Sequence, residues 1–178
     1  AWVRARGPQG FVLRVNLAAD QLRHDDLPSR VRAQLQQAGL PADALCLELT
    51  ESTLLADPVA AVARFEELRA DGVGLAIDDF GTGYSSILQL KRLPVTALKI
   101  DRSFVAGLPD SDLDRAIVRA TVQLADALGA TVTAEGVETP EQRDALIELG
   151  CTRAQGYFLS RPEPAPTFAA RLLATMGN

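Results

Sequence analysis

The sequence predicts an incomplete (β/α)8 barrel of about six βα units, and three observations carry that expectation. Short apolar, β-branched runs alternate with amphipathic helical stretches along the 178 residues, the pattern of a parallel sheet in which each helix returns the chain to the same sheet end. The C-terminal end of every run carries a side chain able to bind a cation or a phosphate, and only a barrel gathers all strand ends around one mouth. An eight-unit barrel takes ~250 residues, so six units need roughly 190, close to the length of this chain.

The first run, Phe11 to Leu17, ends at Asn16 and leads into a helix from Asp20 to Ala38 that Gly39 and Pro41 stop. Leu45 to Leu49 follows, carrying Glu48. Asp57 and Pro58 open a helix to Ala70, with Gly72 as its stop. Val73 to Ile77 ends at Asp78 and Asp79, and Ala97 to Ile100 presents Lys99 and Asp101. A long helix over Asp112 to Leu128 stops at Gly129, and Thr131 to Ala134 ends at Glu135. Thr139, Pro140 and Glu141 start a helix to Leu149 and Gly150, before a last run, Cys151 to Tyr157, that holds Gln155. The competing architecture is an open doubly wound sheet. It would gather polar residues only at its switch point, and the sequence has neither a Gly-x-Gly-x-x-Gly fingerprint nor a Walker loop.

Composition narrows the chemistry. A net charge of -5 with no Lys/Arg cluster beyond pairs such as Lys91 and Arg92 argues against a nucleic-acid polymer as partner. Cys46 and Cys151 lie far apart in apolar segments and read as buried free thiols in a reducing compartment. The single histidine, His24, reads as a solvated residue at a helix start, and one imidazole excludes multi-histidine zinc sites and bis-histidine haem. No membrane-length apolar run or signal-peptide core is seen, so residues 1–178 are expected to form one cytoplasmic domain.

The strand-end donors are hard oxygens. Asn16, Glu48, Asp78, Asp79 and Glu135 suit Mg²⁺, Mn²⁺ or Ca²⁺ rather than zinc or copper. Adjacent Asp78 and Asp79 at a strand end can both turn toward one mouth, one bridging two ions and the other binding the second, as in-line phosphodiester displacement requires. Lys99 on the next strand can neutralise charge developing on a phosphate or hold the attacking water. Beyond the aspartates, Gly81 and Gly83 mark either a tight βα turn, with Ser85 or Ser86 capping the short helix that reaches Leu90, or a loop that closes over the ions.

These residues stand in strings that resemble a known family: Val15-Asn16-Leu17, Glu48-Leu49-Thr50-Glu51-Ser52, Asp78-Asp79-Phe80-Gly81-Thr82-Gly83-Tyr84-Ser85-Ser86, Lys99-Ile100-Asp101-Arg102-Ser103-Phe104, Ala134-Glu135-Gly136-Val137-Glu138-Thr139 and Gln155-Gly156-Tyr157. In order, from Asn16 to Pro162, they resemble the EAL-domain family of bacterial cyclic-di-GMP phosphodiesterases. The resemblance implies a modified TIM barrel that linearises cyclic-di-GMP to pGpG with two Mg²⁺ or Mn²⁺ ions, Ca²⁺ binding but inhibiting. It makes Asn16, Glu48 and Asp78 ligands of one ion, with Asp78 bridging and Asp79 on the second. Glu135 becomes a ligand or base, Lys99 the holder of the hydrolytic water and Gln155 a substrate contact. Glu51 resembles the glutamate that steadies the glycine loop, and Glu138 has a supporting role.

The family's Glu-Ala-Leu signature, with a metal-ligating Glu and a substrate-binding Arg, is absent from these residues. The expectation is therefore a domain lacking its N-terminal part, derived from a phosphodiesterase whose sensory or GGDEF-type domain would stand upstream. The alternative is a module that binds cyclic-di-GMP or a partner protein without turnover. With two strands missing, the strands at Phe11 to Leu17 and Cys151 to Tyr157 would be edges, covered by a second copy in a homodimer, by upstream residues or by a rearranged Ala1 to Gly10.

Overall fold

The computed structural model describes residues 11–56, 58–83 and 90–176. Six parallel strands, β1 (Leu13–Asn16), β2 (Leu45–Thr50), β3 (Gly74–Phe80), β4 (Ala97–Ile100), β5 (Thr131–Ala134) and β6 (Arg153–Ala154), lie side by side in chain order. They make a curled half-barrel, an incomplete TIM-type barrel in which β1 and β6 are the ends of the sheet. The helices are α1 (Ala19–Leu22), α2 (Leu27–Ala38), α3 (Glu51–Ala56), α4 (Pro58–Ala70), α5 (Arg102–Ala106), α6 (Asp112–Leu128), α7 (Pro140–Glu148) and α8 (Ala165–Met176).

Strand periodicity sorts the side chains onto two faces. Leu47, Leu49, Leu75, Ile77, Leu98, Ile100 and Val132 point outward into one continuous core with Phe65 and Leu68 of α4 and Val118, Val122 and Ala125 of α6. Burying each Val, Leu, Ile or Phe contributes about 1.5–3 kcal/mol before conformational entropy is counted. The inward face is separate: Cys46, Ala76 and Ala97 form their own small cluster, and above it stand Glu48, Asp78 and Lys99. Small residues at these positions leave room for long polar side chains rather than filling the barrel with branched ones.

The long helix α6 has the expected bounds. Ser111 accepts the Asp114 amide at its start, at 3.2 Å, and Gly129 ends it in the left-handed region at φ 68°. At α7 the Thr139 hydroxyl accepts the Gln142 amide while Gln142 Oε1 accepts the Thr139 amide, a capping box with Pro140 in the first turn.

Elsewhere the chain departs from expectation. The single helix expected over Asp20 to Ala38 is two, because Pro28 lacks an amide and is tolerated in the first turn of α2 but not inside a continuous helix. His24 therefore occupies the turn between them, exposed, its carbonyl accepting the Leu27 amide. The last strand shortens to Arg153–Ala154: a Cβ at Gly156 would fall 2.2 Å from the Val137 backbone, so the chain leaves ladder geometry where these two backbones touch. The helices α3, α5 and α8 add to the elements expected from the sequence; the first two are short helices at strand exits, and α8 follows a segment containing Pro162 and Pro164. Val12 and Val15 are 40% and 47% exposed at the β1 edge, and the proposed cover, Ala1 to Gly10, lies outside the described residues, as do Asp57, Ser85 and Ser86. Among the described residues no helix is long and apolar enough to cross a membrane.

Candidate active site

The decisive local feature is the exit of β3. Register with β4 runs normally to Ile77, then shifts before Phe80, and within the shift Asp79 adopts φ 53°. A non-glycine residue there is strained, though Asp is among the side chains that tolerate it best. The result answers the problem of adjacent acids on a strand. Instead of pointing to opposite faces, Asp78 and Asp79 share one, and with Glu135 they offer carboxylate oxygens that all lie within 4.8 Å of one another.

Lys99 rises from β4 into this group, its Nζ 2.6 Å from Glu135 Oε1, 2.7 Å from Glu48 Oε2 and 2.9 Å from Asp78 Oδ1. Its side chain is only 5% exposed. Burial alone would lower its pKa, but the bonds to Glu135, Glu48 and Asp78 outweigh burial and hold it above the ordinary lysine value. The acids bear the opposite strain. Burial pushes Glu135 up, reinforced by the charges of Asp78 and Glu48 and opposed by Lys99. Burial likewise raises Asp79, with Asp78 and Asp101 adding repulsion. Asp101 itself is lowered: burial works against its charge, but hydrogen bonds from Ser103 and from the Arg102 amide prevail.

The donor set fits a divalent cation. Three carboxylates converge on the single ammonium of Lys99, and all donors are hard oxygens. The group the structure gathers is Asp78, Asp79 and Glu135; Glu48 joins through Lys99, its second oxygen being held by Arg14 NH1 at 3.2 Å. Asn16 is the register partner of Glu48 on the exposed end strand and stands outside the Lys99-centred group. Gln155 donates to Glu135 Oε1 at 2.7 Å. Arg14 was not anticipated, although its place two residues before Asn16, on the same strand face, would have marked it.

Glu51, at the start of α3 and 3% exposed, accepts the amides of Gly81 and Gly83 on one oxygen, each at 3.2 Å. Gly81 sits at φ 98°, where glycine is unstrained, and a Cβ at Gly83 would lie 3.0 Å from that carboxylate and press on it. Beside Glu135 and Gln155 opens a cleft of about 610 Å³, lined also by Arg102, Glu138, Tyr157, Arg161, Phe168 and Arg171.

The sequence profile of the EAL domain matches residues 2–162. The chain belongs to the EAL domain family. This EAL chain is 48% identical over 164 residues to the bifunctional diguanylate cyclase/cyclic di-GMP phosphodiesterase MucR of Pseudomonas aeruginosa, covering 92% of itself and 24% of MucR. It spans about a fifth to a quarter of the first curated relatives it matches. The MucR phosphodiesterase in complex with c-di-GMP superposes with TM-score 0.87 at 45% identity, over 94% of this chain and 68% of that one. The EAL domain of DcpA from Mycobacterium smegmatis gives TM-score 0.91 at 44% identity, over 97% and 78%. Klebsiella pneumoniae BlrP1, solved with cy-diGMP and manganese, gives 0.83 at 33%, over 90% and 41%; it is also known with calcium.

Proposed function

We propose that this EAL chain hydrolyses cyclic-di-GMP to linear pGpG with two divalent cations, Mg²⁺ or Mn²⁺, Ca²⁺ binding without supporting turnover. The observation that carries the reading is the convergence of Glu48, Asp78 and Glu135 on Lys99, with Asp79 turned to the same mouth. Asn16, Glu48, Asp78, Asp79 and Glu135 would hold the cations. When bound, such cations neutralise charge on the phosphodiester and lower the pKa of a nearby water.

The remaining work belongs to the chain. Lys99, whose three N–H donors face Glu48, Asp78 and Glu135, would hold the hydrolytic water with a donor freed once those carboxylates are shared with cations. Since pGpG retains a 5′-phosphate, the water oxygen joins phosphorus while the bond to the 3′-oxygen breaks, and that oxygen leaves as a hydroxyl. Gln155 fixes Glu135 and borders the cleft, where Arg102 and Arg161 offer charge and Tyr157 and Phe168 offer ring faces to a nucleotide. Glu51, Gly81 and Gly83 shape the wall beside Asp79, and Glu138 supports the cleft rim.

Incubating the full-length protein carrying this chain with Mn²⁺ and cyclic-di-GMP should yield pGpG by reverse-phase chromatography. Asp79→Asn keeps a side chain that tolerates the left-handed region and should abolish the product. No product from folded wild type, or equal turnover by Asp79→Asn, would refute hydrolysis. A receptor without turnover is the second reading, favoured by Lys99 occupying the centre of the carboxylates; calorimetric binding of the dinucleotide with no pGpG would establish it.

A further inference from the structure

We propose that Arg14 is a positioning residue that orients Glu48 for the cation site, an inference that rests on the metal-dependent reading above. Arg14 lies on the inward face of β1, paired in register with Cys46, while Glu48 stands one inward position higher on β2, about 6.6 Å further along the strand. The arginine side chain climbs that step. Its NH1 passes 3.9 Å from Cys46 Sγ and reaches Glu48 Oε1 at 3.2 Å. A small residue at position 46 is what leaves this path open, and burial keeps its thiol protonated by raising the pKa, so it does not compete for the guanidinium.

The two oxygens of Glu48 are thus divided. Oε1 belongs to Arg14 and Oε2 to Lys99, and these two cations differ in kind. Lys99 is shared among three carboxylates, so a divalent ion can take over its neutralising role there. Among the described residues the only ion pair of Arg14 is with Glu48, and its planar fork of donors suits a carboxylate. When Lys99 yields, Glu48 remains held by one oxygen and presents Oε2 alone, as a single-oxygen ligand in a fixed rotamer. Hydrogen bonds to ligating carboxylates commonly carry about 10–100-fold in metal affinity or activity.

The test is Mn²⁺ affinity of the full-length protein, read from the paramagnetic resonance signal of free Mn²⁺ during titration, alongside melting in EDTA. Arg14→Met keeps the stem but loses charge and donors, and should weaken Mn²⁺ at least about tenfold. In a Glu48→Gln background the same change should add less than about twofold, because the effect travels through Glu48. If Arg14→Met does not fold, Arg14→Lys substitutes: weaker affinity than wild type supports positioning. Wild-type Mn²⁺ affinity in the folded variant overturns the proposal even if the melting temperature falls, since Arg14 is then merely structural. Wild-type protein that binds no Mn²⁺ overturns the metal reading itself, and this proposal with it.

Discussion

Replacing Lys99 by Met removes the cation shared by Glu48, Asp78 and Glu135, whose side chains are only 7%, 15% and 17% exposed. Three carboxylates then face one another without it. Removing one partner from a buried ion pair costs about 3–5 kcal/mol, and the low end applies because Arg14 still holds Glu48 and Gln155 still donates to Glu135. At about 2–4 °C per kcal/mol for a domain of this size, a loss of about 3 kcal/mol lowers the melting temperature by roughly 6–12 °C. Circular dichroism melts in EDTA at pH 8 measure it. Lys99 has a raised pKa, so its stabilisation is present below the unfolded lysine value of about 10.4 and is lost as pH rises through the higher folded value. At the acid end the gap between wild type and variant should narrow as the carboxylates take up protons. Mn²⁺ should narrow it too, by replacing the missing charge. Equal melting of wild type and Lys99→Met in EDTA at pH 8 would refute the claim that the ammonium neutralises this cluster.

Two further outcomes follow from the same geometry. Asp79 has a raised folded pKa, so its contribution is fully present below the ordinary carboxylate value and is lost as pH rises through the folded one; in EDTA, wild type should therefore lose stability relative to Asp79→Asn across that window, and a gap that widens in favour of wild type would contradict it. Gly156→Ala would place a Cβ 2.2 Å from the Val137 backbone, which cannot yield as a flexible side chain can, and should lower the urea midpoint by an amount equivalent to about 2 kcal/mol or more; an unchanged midpoint would mean that β6 exits without touching β5's loop.

The sheet was legible because outward positions such as Leu47, Leu49, Leu75, Ile77, Leu98 and Ile100 alternate with polar or small inward ones, and because each run ends in an oxygen or nitrogen donor. Element ends were less so. Nothing local in Asp20 to Ala38 forbids one helix except Pro28, whose effect depends on whether a first turn can restart there. The end of β6 depends on how Gly156 meets a backbone 19 residues earlier, at Val137, an approach that strand propensity does not encode. In the site, the strand-end acids could be named from spacing and resemblance, but how they divide could not. Asp78, Asp79 and Glu135 form one group while Glu48 is drawn away between Arg14 and Lys99, a consequence of which long cations reach which oxygens. Arg14 escaped notice because it sits below the strand end and becomes relevant only through the length of its side chain.

That division gives the site its character. Among the described residues the cations beside Glu48, Asp78, Asp79 and Glu135 are Lys99 and Arg14, and both Asp79 and Glu135 register the imbalance as a raised pKa. A fold selected only for stability would relieve this by exchanging an acid for an apolar side chain, since buried charge pairs rarely improve on hydrophobic packing. Here the backbone does the opposite: it bends Asp79 into a left-handed conformation, which brings a further like charge toward the group. Strain and repulsion that both increase negative charge at one mouth have a common physical relief, a multivalent cation, and the clustered acids of this EAL chain are arranged to receive one.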